Sequence, residues 1–435
     1  MSVLDLSHNN ISSQPPFPKW VLDLRSLTYL NLANNRFQGH IPEGIQNLSS
    51  LETLDLSWNS FSSLSPTSFS SLIRLRLFNL AFNNLGGEVP DCWGSWKYLE
   101  AVKLSSNRFT GSIPWSIGTS VFLDSLNLRN NKLSGHIPSS LKNCSKLVAL
   151  DFSGNELAGT IPAWIGENLR KLMILNFRNN NFHGPIPEQL CEANSLRILD
   201  LANNNLIGRI PKCVNNFTAM SYNGTGPFFE TALIMIKGKL SEYGSILKLV
   251  RSIDLSENKL SGEIPWGMTR LEGLQSLNLS GNLLTGEIPE DVGAMRSLES
   301  IDLSQNQLSG EIPRSMSGMT FLSFLNFSDN KLSGRIPSST QFDGFNASSF
   351  AGNLNLCGLP LARNCSNVPA PGQDGIGNGE EDEGHVYEQW YFYVSIAIGF
   401  IVGFWGVVGS LALSRSWRYG YFRFIDSLWY KFRTG

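Results

Sequence analysis

The residues able to carry chemistry are few and poorly placed for catalysis. The five histidines, His8, His40, His136, His183 and His385, are scattered, and none sits beside a plausible serine or cysteine nucleophile. No catalytic set, metal site or cofactor motif is read, and the expected protein is not an enzyme. Six cysteines are too few for a small disulfide scaffold, and their spacings match no common zinc pattern. Cys357 and Cys365, eight apart in a Gly/Pro-rich stretch, should form a disulfide, and Cys191 and Cys213, 22 apart, should lie close enough to pair. Cys92 and Cys144 should be too distant to bond to each other. The chemistry left is recognition. Trp58 and Phe82 occupy one place in consecutive copies of a repeated word where other copies have Asn, Ser or Gly, and Tyr29, Lys103, Arg129 and Arg178 also break the pattern. Exposed aromatic and arginine side chains are what binding hot spots use.

The word that positions them is L-x-x-L-x-L-x-x-N-x-L-x-G-x-I-P, as in LQSLNLSGNLLTGEIP from Leu274. Its asparagine recurs at Asn9, Asn35, Asn59, Asn83, Asn107, Asn131, Asn155, Asn180, Asn204, Asn258, Asn282, Asn306 and Asn330, stepping by 24 with one 26, one 25 and one jump of 54. That period and pattern define a leucine-rich repeat. L-x-L is a short strand whose two leucines point the same way. One repeat cannot bury them, so neighbours stack around a shared core. The asparagine can link successive turns into a ladder, and the Asp or Asn between the leucines (Asp55, Asn79, Asp151, Asp200, Asp302) belongs to the scaffold. Proline in G-x-I-P favours short extended or 3₁₀ returns. The fold class expected is an α/β leucine-rich-repeat solenoid with parallel strands on its concave face.

The domains expected are repeats over 1–211 (the first partial), an insertion over 212–248, four repeats over 249–337, a cysteine cap over 338–366, an acidic linker over 367–389, a membrane-spanning helix over 390–413 and a short cytoplasmic tail over 414–435. Met1 opens inside a repeat without a signal segment, so an upstream signal peptide and cap are expected. The insertion contains TALIMIKGK, which suggests one short strand. Trp390–Leu413 is uncharged, long enough to cross a bilayer and followed by Arg415, Arg418, Arg423, Lys431 and Arg433. The basic end stays in the cytosol, so the repeats face outward in a type I, single-pass arrangement at the plasma membrane. Gly399, Gly403, Gly406 and Ser410 form one stripe of that helix, where another helix could pack. Glycosylation sequons stand at Asn10, Asn47, Asn143, Asn216, Asn223, Asn278, Asn326 and Asn346, with a ninth at Asn364 beside the cap cysteine. A net charge of −2 with no basic run in the repeats excludes nucleic acid as partner.

The repeats, insertion, cysteine cap, acidic linker, spanning helix and stub tail together resemble a plant leucine-rich-repeat receptor-like protein of the disease-resistance type, such as the receptor for ethylene-inducing xylanase. IKGKLSEYGSILKLVRSIDLS makes the resemblance specific, with Lys237, Gly238 and Tyr243 on the family's Lys-Gly…Tyr island segment. The resemblance implies an extracellular protein or peptide ligand on the inner face and island. It also implies an adaptor receptor-like kinase and a co-receptor kinase, since the tail cannot hold a kinase. Two alternatives are a soluble-type inhibitor of a microbial wall-degrading enzyme, against which the spanning segment argues, and a truncated decoy or non-functional fragment.

Overall fold

The computed structural model describes residues 1–365 except 13–16, 222–231, 238, 244–248 and 340; of 66, 232–236 and 240–243 it describes the backbone alone. Thirteen three-residue strands, from Val3–Asp5 to Phe324–Asn326, form one parallel sheet in chain order. The L-x-L alternation sets the register, because the residue between the strand ends must point into the core. Leu30 pairs with Leu54, Leu54 with Phe78 and Phe78 with Val102, and all four are fully buried. Such side chains each contribute roughly 1.5–3 kcal/mol on burial. One hydrophobic core runs from Leu4 to Leu356. Ile198–Asp200 pairs directly with Ser252–Asp254. The insertion therefore leaves the sheet between two adjacent coils without interrupting it.

The returns are 3₁₀ turns that begin after the proline, as in Glu43–Asn47 after Pro42 and Trp115–Thr119 after Pro114. Proline fixes an extended entry and cannot donate into a helix. Among the described residues the α-helical part is one segment, Trp164–Asn168. A second parallel sheet of eight short strands lies beyond the asparagines of eight consecutive repeats, Asn83 to Asn282, from Gly86–Glu88 to Leu283–Leu284.

Each ladder asparagine satisfies the backbone where the chain leaves the strand. Asn59 Nδ2 donates to the carbonyls of Leu32, Leu56 and Ser57 at 2.9–3.2 Å, and its Oδ1 accepts the Phe37 N–H at 3.0 Å. Asn107, Asn155 and Asn282 repeat the set in their own coils. Buried backbone groups are thus paired by a side chain rather than left orphaned.

The cap is a fourteenth, degenerate coil. Asn353 continues the ladder, donating to Phe327 O and Phe350 O and accepting from Leu332 N. Asn355–Cys357 adds a strand beside Lys331–Arg335, and Phe342, Phe350 and Leu356 close the leucine layer. Cys357 and Cys365 are disulfide-bonded with Cα atoms 5.1 Å apart. Cys191 and Cys213 are bonded across adjacent coils with Cα atoms 5.9 Å apart. Cys92 and Cys144 stay buried thiols, and burial pushes both up to about 11.

Candidate ligand-binding surface

The scaffold offers side chains on the inner face at alternate strand positions. Between the strand leucines, aspartate and asparagine alternate coil by coil: Asp5, Asn31, Asp55 and Asn79, then, after the island, Asp254, Asn278, Asp302 and Asn326. Each asparagine amide donates to the preceding carboxylate: Asn31 to Asp5 at 3.2 Å, Asn79 to Asp55 at 2.8 Å and Asn278 to Asp254 at 3.3 Å. The other oxygen closes a turn by accepting the N–H two residues on, as Asp55 does from Ser57 at 2.9 Å. This column is scaffold. It is broken twice. Lys103 replaces the carboxylate between Asn79 and Asn127. At the island junction Asp200 and Asp254 are direct strand partners, so two carboxylates abut.

Arg178, from the coil before, resolves that clash. Its Nε lies 2.7 Å from Asp200 Oδ2, and its Nη2 bonds Asp254 Oδ2. The guanidinium is 11% exposed and the carboxylates 3% and 2%. Burial and the neighbouring Asp254 push the Asp200 carboxyl up to about 7, against the pull of Arg178. Asp302 is also raised, chiefly by burial. Arg178 is therefore an internal bridge, not the exposed arginine the sequence suggests. Arg129 is likewise buried, at 6% exposure. Tyr29 is half-buried, with its hydroxyl 3.4 Å from Asn31 Nδ2.

Trp58 and Phe82 do come together on the surface. Their rings stack with centroids 3.8 Å apart and planes within 12°, and Trp58 is 54% exposed. Both have left-handed backbone, φ 53° and 55°. Every coil places a left-handed residue just before its asparagine. Elsewhere it is often Asn34, Asn130, Asn179, Asn203, Gly154 or Gly281, the types that tolerate it. A bulky side chain there costs roughly 1–2 kcal/mol. The left-handed column was a signal within the sequence, since Asn and Gly recur ahead of the ladder asparagine.

The insertion contains two antiparallel strands, Ala232–Ile236 and Lys239–Tyr243, and not the one expected. The two-residue link starts at Lys237, φ 56°, as a tight hairpin with right-handed twist requires. The Lys237 N–H donates to Ser300 Oγ at 3.1 Å, and its Nζ lies 3.0 Å from Glu299. The hairpin tip thus rests on the inner sheet three strands past the junction. A nearby polar groove of about 220 Å³ is lined by Arg178, Ser256, Asn278, Ser300, Asp302 and Phe324. Gly238 lies outside the described residues, and Tyr243 is described in its backbone alone.

Asn10, Asn47, Asn143, Asn216, Asn346 and Asn364 are exposed, whereas Asn278 and Asn326 are half-buried with their amides in the Asp/Asn column. Asn223, the linker and the 390–413 segment with Gly399, Gly403, Gly406 and Ser410 lie outside the described residues. Among those described, no helix is long and apolar enough to cross a membrane, and no cluster of His, Cys, Asp or Glu could hold a metal ion.

The repeats match the Leucine rich repeat family over residues 25–85 and, unit by unit, over 122–144, 146–168, 171–193, 195–217, 249–271, 273–295, 297–319 and 321–342. The chain belongs to the leucine-rich repeat family. It is 53% identical over 285 residues to Receptor-like protein EIX2 of Solanum lycopersicum, a match covering 61% of this chain and 28% of that protein. The chain spans under a third of this relative's length. Among solved structures, the plant peptide hormone receptor RGFR1 in complex with RGF2 superimposes with TM-score 0.62 at 29% identity, covering 82% of this chain and 60% of that one. The Arabidopsis receptor kinase HAESA, in complex with the peptide hormone IDA and the co-receptor SERK1, gives 0.60 at 29%, covering 82% and 62%.

Proposed function

We propose that this chain is the recognition part of a single-pass plasma-membrane receptor without enzymatic activity, acting in plant defence. It binds an extracellular protein or peptide on its inner face and island. Support comes from the similarity to a receptor-like protein and to ectodomains crystallised with peptide hormones. The observation that carries the reading is the Trp58–Phe82 stack: an exposed tryptophan ring lying on a half-buried phenylalanine, both at backbone positions that disfavour them. The uncharged 390–413 segment, the basic tail and the sequons support an outward-facing, glycosylated repeat domain. Signalling passes to an adaptor receptor-like kinase packed on the Gly399–Ser410 stripe, and to a co-receptor kinase.

The test uses the full-length chain at the surface of plant cells with ethylene-inducing xylanase as first probe. Combined Trp58→Ala and Phe82→Ala should weaken binding by more than about five-fold. Undiminished binding would remove the aromatic pair from the site. In a parallel arm, Leu at Gly399, Gly403 and Gly406 should reduce co-purification of the adaptor kinase at unchanged surface level. Full co-purification would make the helix an anchor alone.

A further inference from the structure

The turns leading into three adjacent inner strands expose a run of apolar side chains. Ile73, Tyr98, Val121 and Phe122 are 54%, 58%, 46% and 43% exposed. They occupy the two residues ahead of buried Leu75, Leu99 and Leu123. The strands that follow, Leu77–Asn79, Ala101–Lys103 and Ser125–Asn127, are neighbours in the sheet, so successive turns lie about 5 Å apart. In most other coils these two places hold serine, lysine, arginine or asparagine; Leu249 and Phe321 are isolated exceptions. The exposed apolar area is on the order of 400 Å², a size that on a soluble surface marks an interaction site. The backbone presenting it is fixed. Leu75, Leu99 and Leu123 each donate an N–H back across the turn, to Leu72, Trp96 and Ser120 at 3.0–3.3 Å.

At the two turn places of these coils and the next, the charges have one sign. Arg74 and Lys97 fill the other place in the first two turns, and Lys146, in the next coil, sits with Nζ 4.1 Å over the Phe122 ring. No carboxylate occurs at these two places in any coil from Arg25 to Lys171. Of the acids at the start of the adjoining strands, Glu100 is bonded by Arg76 at 2.6 Å, and Asp124 borders the stripe. An apolar centre inside a charged rim is the anatomy of a protein interface.

We infer that this edge is a docking surface for a partner protein that presents an apolar ridge flanked by carboxylates. Ile73 and Val121 offer no ring on which a sugar could stack, and the cations are interleaved with apolar groups instead of forming the unbroken line a polyanionic polysaccharide needs. A second copy of this chain would set Arg74, Lys97 and Lys146 against themselves. The stripe lies at the edge where the chain enters the sheet, whereas Trp58 and Phe82 lie where it leaves, so partner and ligand can be held together.

The experiment places benzophenone-4-maleimide on the Tyr98→Cys variant of the full-length chain at the plant cell surface and irradiates it. The expected product is a link to a different protein through a peptide carrying both carboxylates and apolar residues. Its yield should fall at least ten-fold when Lys97→Glu and Lys146→Glu are added, and hold when Ser49→Glu is added. All four positions are exposed; surface level and thermal melting of each variant check folding. A link to polysaccharide or to a second copy, a yield indifferent to the charge reversals, or no link at all would each overturn the inference.

Discussion

The coils before the island and those after it share one scaffold but show different surfaces. After the island the inner positions flanking the Asp/Asn column are nearly all serine: Ser252 and Ser256, Ser276 and Ser280, Ser300 and Ser304. Before it the corresponding positions include Tyr29, Leu77, Arg129, Ile174 and Arg178, with Lys103 inside the column and Trp58 and Phe82 at its end. The scaffold tolerates either set, because both lie outside the leucine core. The difference therefore separates two tasks. A low, uniform serine surface receives the tip of the island hairpin, where Lys237 meets Ser300. Relief suited to recognition is concentrated in the earlier coils.

The joint between the two regions offers the strongest way to break that comparison. Arg178→Ala would leave Asp200 and Asp254 adjacent, buried and without their cation. Removing one partner of a buried ionic group typically destabilises by about 3–5 kcal/mol. The loss should appear in urea denaturation of the full-length chain as earlier unfolding, with the coils on the two sides of residue 200 separating into two transitions. A loss under about 1 kcal/mol would mean that the ladder and the continuous sheet hold the joint without the bridge.

Acidity gives a smaller, graded effect at the same place. The folded-state value of Asp200 is raised above its unfolded value, so the native protein holds that proton more tightly. The stability this contributes is present at low pH and is lost as pH rises from about 4 towards about 7. Asp200→Asn removes the titration. Relative to the parent, its melting temperature should therefore gain as pH climbs through that window. A difference between the two proteins that stays flat from pH 4 to 7 would show that Asp200 is ionised throughout. Asp302, raised in the same direction, leaves a residual slope in both proteins.

What could be read in advance follows from the range of each interaction. The strands and the asparagine ladder recur at fixed spacing, so their geometry is implied by the period; Cys191 and Cys213 lie nearly one period apart, and Cys357 and Cys365 are close in sequence. The cap's Asn353 was missed because Ser348 stands at the place of the first strand leucine and Leu356 follows the asparagine by three residues instead of two. The second island strand was missed because the apolar run ends at Ile236, although two residues later KLSEY resumes alternation. Arg129 and Arg178 read as exposed because a strand position tells which face a side chain leaves from, not how far it lies down. Arg178 reaches Asp254, 76 positions away in sequence, and nothing local encodes that pairing. The stacking of Trp58 on Phe82 was legible as proximity, but the left-handed backbone beneath it requires the turn geometry.

The smallest effect expected is also the one that sharpens the comparison most. Trp58→Asn places at that position the residue type used by Asn34 and Asn130. It relieves a bulky left-handed residue, worth roughly 1–2 kcal/mol, and removes a stacked pair worth about 0.5–1.5 kcal/mol. The two nearly cancel, so stability should move by less than about 1 kcal/mol while ligand binding falls. The converse substitution belongs after the island. Gly281 has φ 64°, and a Cβ built there would lie 2.7 Å from Glu257 Oε1. Gly281→Trp gains no aromatic neighbour, because Glu257 and Gln305 flank it in the column, and it should lose stability by about the full strain. An aromatic side chain is thus nearly neutral to the fold only where two stand together. If Trp58→Asn instead destabilised the chain by more than about 2 kcal/mol, the pair would be a structural staple. The contrast between early and late coils would then concern folding, and the recognition surface would have to be sought on the island and its groove.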